Sequence, residues 1–317
     1  MRQYIIRRIL LVIPVLLGVS LLVFLALHLM PVDPVRMMLT EHRAGTAPTT
    51  EGTVTEEQMD ILRKQLGLDQ PLYVQFARFV GNVLRGDLGT SWRTKRAVST
   101  MIIRNAPYTI QLSLAGLFVA VVMGVTLGTV AAVKERTWFD TGTMGVAVIG
   151  VSMPSFWKGL MLMMIFGHML RWFPPVGVGT WRHLVLPAVT MGIGGAALMA
   201  RMTRSSMVEV LRQDYIVTAR SKGLSERVVT YKHALRNALI PVITIIGLSL
   251  GGMLGGSVVL ENVFGRPGLG RIAVDAIWEK DFPVVQATVL VMATAYVLAN
   301  LLVDLFYGFL DPRIRYQ

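Results

Sequence analysis

The chain has 317 residues, of which 53% are hydrophobic and only 16% are charged, and its mean hydropathy is +0.57. Soluble globular domains carry about 25% charged residues, so this composition excludes that class and favours a protein of the lipid bilayer. The net charge of +12 does not indicate nucleic-acid binding, because the basic residues stand at the ends of long apolar runs, where they mark membrane topology.

Six apolar runs are long enough to cross the hydrocarbon core as helices, which takes about 20 residues each. In chain order they cover residues 9–30, 109–133, 141–170, 183–200, 238–260 and 283–310. Each run is continuous rather than alternating between apolar and polar residues, which excludes a transmembrane β-barrel. The sequence therefore predicts an all-α membrane protein with six transmembrane helices.

The basic residues predict the orientation of these helices through the positive-inside rule. They concentrate before the first run, between the second and third, between the fourth and fifth, and after the sixth. All four segments fall on one side of a six-helix bundle, so both termini and the loop at 201–236 are expected in the cytoplasm. The first run is too long for a signal peptide and lacks a small-residue cleavage site, so we expect it to remain as an anchor.

The predicted parts are a cytoplasmic N-terminus with the first transmembrane helix at 1–30, an external region at 31–108, a five-helix core at 109–310 that contains the loop 201–236, and a cytoplasmic tail at 311–317. Within the external region, a polar linker at 46–55 is expected to precede helices at 56–65 and 73–84. This region is too small to be an enzyme domain.

The third apolar run is interrupted by Ser152, Pro154 and Ser155. A proline removes a helical hydrogen bond, and a membrane tolerates the freed carbonyl only beside a cavity or a packed helix. These three residues therefore predict either a packing kink or an element that lines a solute pathway. Lys158, just after the break, is expected to extend its ammonium group to the membrane interface, with a position facing the solute as the alternative.

The fifth apolar run contains glycines at a spacing that lets helices approach closely, namely Gly247, Gly251, Gly252, Gly255 and Gly256. They predict tight helix packing, a face that slides against a partner, or both. After this run, Pro267-Gly-Leu-Gly270 predicts a turn rather than a nucleotide-binding loop, because it contains a proline and follows no strand. A short helix is expected over 271–279.

The loop at 201–236 has the pattern of a helix, a glycine turn and a second helix. Apolar side chains stand among Asp214, Arg220 and Lys222, and Gly223 falls where the first helix would end. The second helix is expected to begin near Ser225. An amphipathic helix pair between two membrane spans is suited to docking a cytoplasmic partner.

These residues resemble the cytoplasmic coupling loop of permease subunits in ATP-binding-cassette importers of the dipeptide/oligopeptide/nickel branch. The importer pattern is Glu-Ala-Ala, three residues, Gly; here Val217 and Thr218 replace the Glu and the first Ala, while Ala219 and Gly223 fit. Further stretches that resemble this branch are Arg7-Arg8, Leu66-Gly-Leu-Asp-Gln-Pro-Leu-Tyr73, Gly86-Asp-Leu-Gly-Thr-Ser91, His233-Ala-Leu-Arg-Asn-Ala-Leu-Ile-Pro241, Pro267-Gly-Leu-Gly270 and Asp311-Pro-Arg-Ile-Arg-Tyr316.

The resemblance implies the type I importer permease fold, with the external region between helices 1 and 2 and a cytoplasmic coupling helix between helices 4 and 5. It implies a second homologous permease subunit, two ATPase subunits and an extracytoplasmic solute-binding protein as partners in the cell (inner) membrane. The implied solutes are peptides or peptide-like compounds, with a nickel chelate, glutathione or another small solute as the alternative. The implied ATPase-coupling residues are Asp214, Tyr215, Val217, Thr218, Ala219, Arg220, Lys222, Gly223 and Leu224.

The sequence contains no motif for catalysis or for holding a metal or cofactor. Because a phosphate-binding Gly-x4-Gly-Lys-Ser/Thr loop is absent, ATP and Mg are expected in the partner subunits. The chain has no Cys, and its five His residues show no ligand spacing. A secondary transporter would bury several ionisable residues at mid-membrane, and a membrane enzyme would carry a nucleophile or metal motif; this sequence favours neither.

Overall fold

The computed structural model describes residues 2–29 and 56–310. The predicted linker at 46–55 and the tail at 311–317 lie outside the described residues. Within them the chain is helical, and its extended pairing is limited to one isolated bridge between Thr90 and Ala97.

The helices are α1 (Arg2–His28), α2 (Glu56–Leu66), α3 (Leu72–Leu84), α4 (Val98–Val133), α5 (Trp138–Ser152), α6 (Ser155–Leu162), α7 (Arg182–Leu211), α8 (Asp214–Ser221), α9 (Glu226–Val228), α10 (Leu235–Val263), α11 (Leu269–Trp278) and α12 (Phe282–Leu310). A π-helical segment, Met163–Met169, follows α6, and another, Val229–Ala234, joins α9 to α10. The helices expected at 56–65, 73–84 and 271–279 are confirmed as α2, α3 and α11.

Five helices among the described residues are long and apolar enough to cross a membrane: Arg8–His28, Val98–Val133, Arg182–Leu211, Glu226–Val263 and Phe282–Val303. The third predicted run forms a broken pair, Trp138–Ser152 and Ser155–Met169, whose halves are bent by 107°. The number of spans is therefore six when this pair is counted as one. The break falls where Pro154 predicts an interruption.

The described chain divides into two compact units. Of the described residues, the smaller unit comprises 10–29, 56–105 and 272–294. Within it, the Phe24 ring stacks on His28 with centroids 4.0 Å apart and meets Phe76 of α3 at 5.4 Å. Asp281 accepts hydrogen bonds from the Ser91 hydroxyl at 2.5 Å and from the Trp92 backbone N–H at 3.0 Å. The Gly86-Asp-Leu-Gly-Thr-Ser91 stretch is thereby tied to the residues that precede α12.

The larger unit comprises the described residues 2–9, 106–271 and 295–310. Helix α7 is its centre, because α5, α6 and α10 all pack against it. Its apolar core is drawn from α4, α7 and α10 together with the residue that follows α10: Leu112, Ala120, Leu186, Met191, Met199, Met253, Leu260 and Phe264.

Close approach of α4 and α7 depends on glycines that the sequence did not single out. A Cβ at Gly192 would lie 2.5 Å from Cγ1 of Val119 and 3.1 Å from the Ala120 nitrogen. The predicted glycines of the fifth run divide into two groups. Gly247 and Gly251 face Val303 and Tyr296 of α12, whereas a Cβ at Gly252, Gly255 or Gly256 would meet nothing within 4 Å. Tight packing therefore accounts for only the first group.

We expect Gly192→Ala to lower the thermal stability of the purified chain, because the added methyl group overlaps Val119 and overpacking costs about 1–3 kcal/mol. Gly145→Ala is the matched control: it lies inside α5, and a Cβ there meets nothing within 4 Å. Because alanine is the better helix former, the control should unfold at the same temperature as the original chain or slightly higher. Equal midpoints for both variants would contradict the proposed α4–α7 contact.

Candidate partner surface and membrane break

Helix α8 is short and sharply ended. Asp214 stands in its first turn, where a carboxylate interacts favourably with the positive end of the helix dipole. At the other end, Gly223 has φ +76°, its N–H donates to the Arg220 carbonyl at 2.9 Å, and the N–H of Leu224 donates to the Ala219 carbonyl at 3.4 Å. This pair of bonds is a Schellman cap, which requires a left-handed residue at the glycine position. The prediction that Gly223 ends the first helix is confirmed.

The second helix follows at once, and side chains join the two. Helix α9 begins at Glu226, whose carboxylate accepts two bonds from the Arg220 guanidinium, at 2.8 and 3.3 Å. Asn237 donates from Nδ2 to the Tyr215 hydroxyl oxygen at 2.8 Å. These exposed contacts link α8 to the helices that follow it, and each contributes little free energy. The predicted helix, glycine turn and helix are confirmed.

One face of this helix pair is buried in the chain's own core. Ile216 is fully buried and Ala219 is 7% exposed, and they form a cluster with Ala132, Met207, Val229, Ala234 and Ala238. Ala219 therefore does not belong to the surface that α8 offers to another protein. That Ala219 is an ATPase-coupling residue stays a prediction, and in this packing any such role would act through the cluster rather than by direct contact.

Other large apolar side chains of this helix pair are exposed, and they lie outside the apolar runs. Tyr215 is 42%, Val217 52% and Leu224 39% exposed, and Tyr231, which the sequence did not single out, is 61% exposed. Val228 is also exposed. We call these five residues the partner surface. An exposed apolar patch rimmed by polar residues marks an interaction site; here the rim contains Asp214, Thr218, Arg220 and Lys222, all exposed.

The membrane break is held by hydrogen bonds within its own helices. Ser152, Pro154 and Ser155 are exposed in the chain, and the Ser152 hydroxyl donates to the Val148 carbonyl at 2.9 Å. That these three residues line a solute pathway stays a prediction.

Lys158 does not extend to the interface. Its side chain is 8% exposed, and its ammonium group donates to the Gly150 carbonyl at 2.9 Å. The last carbonyls of a helix lack intrahelical partners, and the positive charge is favourable at the negative end of the helix dipole. Lys158 therefore caps the broken end of α5, and the expectation that it extends to the membrane interface is wrong.

A buried carboxylate, which the sequence did not single out, organises the turn after α10. Glu261 is fully buried; its Oε1 accepts from the Thr109 hydroxyl at 2.6 Å and its Oε2 from the Arg271 backbone N–H at 3.1 Å. The Thr109 oxygen in turn accepts from the Leu269 backbone N–H at 2.8 Å. A Cβ at Gly270 would lie 2.9 Å from the carboxylate oxygen and 2.5 Å from the Val258 Cα. The Pro267-Gly-Leu-Gly270 stretch is thus a turn that wraps around Glu261, as its sequence predicts.

We expect Thr109→Val to loosen this turn, because it leaves a carboxylate oxygen and the Leu269 amide unpaired, at a cost of about 1–3 kcal/mol each. Amide hydrogen exchange over 265–271 should become faster. Thr126→Val is the control on the same helix, since its exposed hydroxyl bonds only to carbonyls of its own helix, the nearer being that of Val122 at 2.6 Å. If both variants exchange at the rate of the original chain, the hydroxyl of Thr109 does not hold the turn.

Comparison with known proteins identifies the family. Residues 124–316 match the family described as binding-protein-dependent transport system inner membrane component, and residues 1–113 match the N-terminal family of the same transport systems. The chain is 46% identical over 317 residues to the glutathione transport system permease protein GsiC of Salmonella paratyphi A, with 100% of both chains covered. It is 44% identical over the same length to GsiC of Escherichia coli K12, again with 100% of both covered.

Solved structures agree on the fold. An inward-facing structure of the MetNI methionine ABC transporter superposes with a TM-score of 0.56 at 20% identity and covers 67% of this chain and 96% of that one. An amino acid ABC transporter gives a TM-score of 0.52 at 16% identity, with 67% and 95% covered. The chain therefore belongs to the inner-membrane components of binding-protein-dependent transport systems, and it has the type I fold of ABC importer permeases.

Proposed function

We propose that this chain is one of two homologous permease subunits that together form the solute pathway of an ATP-driven importer. The observation that carries the proposal is the partner surface: exposed apolar side chains on a helix pair that lies outside the apolar runs of the sequence. The family and the full-length similarity to permease proteins support it. The chain is not itself an enzyme in this proposal.

The partner surface receives an ATPase subunit on the cytoplasmic side. Two such subunits hold ATP and Mg and hydrolyse the nucleotide, one under each permease. Tyr215, Val217 and Leu224 offer apolar area to a groove on the ATPase, while Arg220 supports them by its bond to Glu226. An extracytoplasmic binding protein delivers the solute on the other side. Both termini of the permease are cytoplasmic, in accord with the positive-inside rule.

The solute is a peptide or peptide-like compound. Support comes from the relatives at 44–46% identity, whose name gives glutathione, a tripeptide, as the transported solute. A chelated metal or another small solute of the same transport systems is the alternative. Uptake of labelled glutathione, competed by unlabelled di- and tripeptides, separates the two, since a chelate permease would show no competition by peptides.

Val217→Asp and Leu224→Asp should each weaken the binding of the ATPase. A charge placed in the apolar centre of an interface costs at least about 2 kcal/mol, or about 30-fold in the dissociation constant. The measurement is co-purification and affinity of the ATPase for the permease in detergent, without the binding protein. Leu84→Asp is the matched control, because Leu84 is 82% exposed at the end of α3. Binding of the ATPase that is equally strong in all three variants would exclude this surface.

Orientation can be tested in intact cells because the chain contains no Cys. A cysteine introduced at Arg85, which is exposed after α3, should react with a membrane-impermeant thiol reagent added outside. A cysteine at Ser225 should react only after lysis. The reverse pattern would place the partner surface outside the cell and refute the proposed assembly.

A further inference from the structure

An apolar groove opens at the surface of the larger unit beside α5. It has a volume of about 640 Å³ and is lined by Leu127, Trp138, Phe139, Gly142, Thr143 and Val146. Trp138, at the start of α5, is 88% exposed, and Val146 is 67% exposed. Because eight residues of helix rise about 12 Å, the groove runs from the start of α5 well into its apolar length. This direction and length suit a lipid acyl chain.

Positive charge stands at one end of this groove. The ammonium group of Lys134, in the turn between α4 and α5, lies 3.8 Å from the centroid of the Phe139 ring, which itself lines the groove. Arg136, in the same turn, keeps 86% of its side chain exposed. Tryptophan is enriched where a span meets the headgroup region, so Trp138 places this end of the groove at headgroup depth.

Two acids lie near these basic residues, Glu135 in the turn and Asp140 in the first helical turn of α5, and each is paired with an arginine in α7 or directly after it. Glu135 accepts from Arg212 at 2.8 Å, and its distance to Nε of Arg136 is 3.8 Å. Asp140 is buried and accepts two bonds from Arg204, at 2.5 and 2.6 Å. Because Arg212 and Arg204 pair with these two acids, Lys134 and Arg136 leave an excess of positive charge in the turn that precedes the groove.

The turn is also rigid. The Arg136 backbone N–H donates to Asp140 Oδ2 at 3.0 Å, and the Thr137 hydroxyl donates to the Lys134 carbonyl at 2.6 Å. Since Asp140 is itself clamped by Arg204, the basic residues are presented from a fixed backbone. A preorganised site loses less entropy when it binds a ligand.

We propose that this groove binds an anionic phospholipid, with an acyl chain along α5 and the phosphate between Lys134 and Arg136. Basic pockets at the ends of transmembrane helices recognise anionic headgroups in this way. Charge favours a lipid over a helix of a second permease, because an apolar helix laid in the groove would enclose two unmatched cations at the edge of the membrane. The site is distinct from the partner surface and does not depend on the identity of the solute.

The test measures Trp138 fluorescence in the full chain assembled with its partner subunits in lipid nanodiscs. The quenchers are phosphatidylglycerol and phosphatidylcholine with brominated acyl chains, added at increasing mole fraction. The chain has 6 Trp, so subtracting the signal of Trp138→Phe isolates the one in the groove. Brominated phosphatidylglycerol should quench it at a mole fraction at least about fivefold lower than the phosphatidylcholine, since each basic residue contributes about fivefold to the binding of anionic lipid.

The double variant Lys134→Gln/Arg136→Gln should bring the two lipids to within about twofold of each other. The control Arg85→Gln/Lys95→Gln, which removes two exposed charges from the smaller unit, should keep the preference. Equal quenching by both lipids in the original chain would overturn the proposal, and that comparison stands even if the double variant does not fold. Absence of quenching by either lipid would mean that protein covers the groove, which also overturns it.

Discussion

A polar group that is buried away from water must find its hydrogen-bond partner within the protein itself. This constraint explains the contacts that organise the larger unit. The break after α5 exposes a carbonyl, and Lys158 donates to it. The carboxylate of Glu261 receives a hydroxyl and a backbone amide from segments far away in the chain. In each case a polar group whose burial costs free energy gains hydrogen-bond partners, and these bonds hold separate segments of the chain together.

The sequence predicts the membrane helices well because the bilayer imposes a single requirement, a long apolar run. It does not predict where the helices extend beyond the bilayer. Helix α4 begins at Val98, before its apolar run, and Glu226–Val263 is a span of 38 residues where about 20 suffice. The sequence also does not show which side chains bond to each other, since Thr109 and Glu261 are separated by 152 residues and no local pattern relates them.

In the partner surface, too, some features can be predicted from local sequence and others depend on the rest of the chain. Amphipathic spacing predicts that α8 lies on a surface and that Gly223 ends it, because both depend on local geometry. Which face stays free depends on the rest of the chain. Of the predicted coupling residues, Ala219 is covered by the cluster that contains Met207 and Val229, whereas Val217 stays exposed. Tyr231 lies in a π-helical segment, whose altered winding cannot be predicted from a period of 3.6 residues.

Two residues of the partner surface, Val228 and Tyr231, and the Glu261 turn lie at opposite ends of one continuous helical element, Glu226–Val263. Tyr231 is near the beginning of this element and Glu261 is near its end. A displacement of Tyr231 must therefore either move the whole helical element or bend it. Bending concentrates where the hydrogen-bond ladder is irregular, which here means the π-helical segment Val229–Ala234 and Pro241 inside α10. Beyond Pro241 the helix packs tightly on α12 through Gly247 and Gly251. A displacement of the first turns can therefore be taken up by bending before Pro241. A displacement that is transmitted beyond Pro241 must also move α12 and the Glu261 turn.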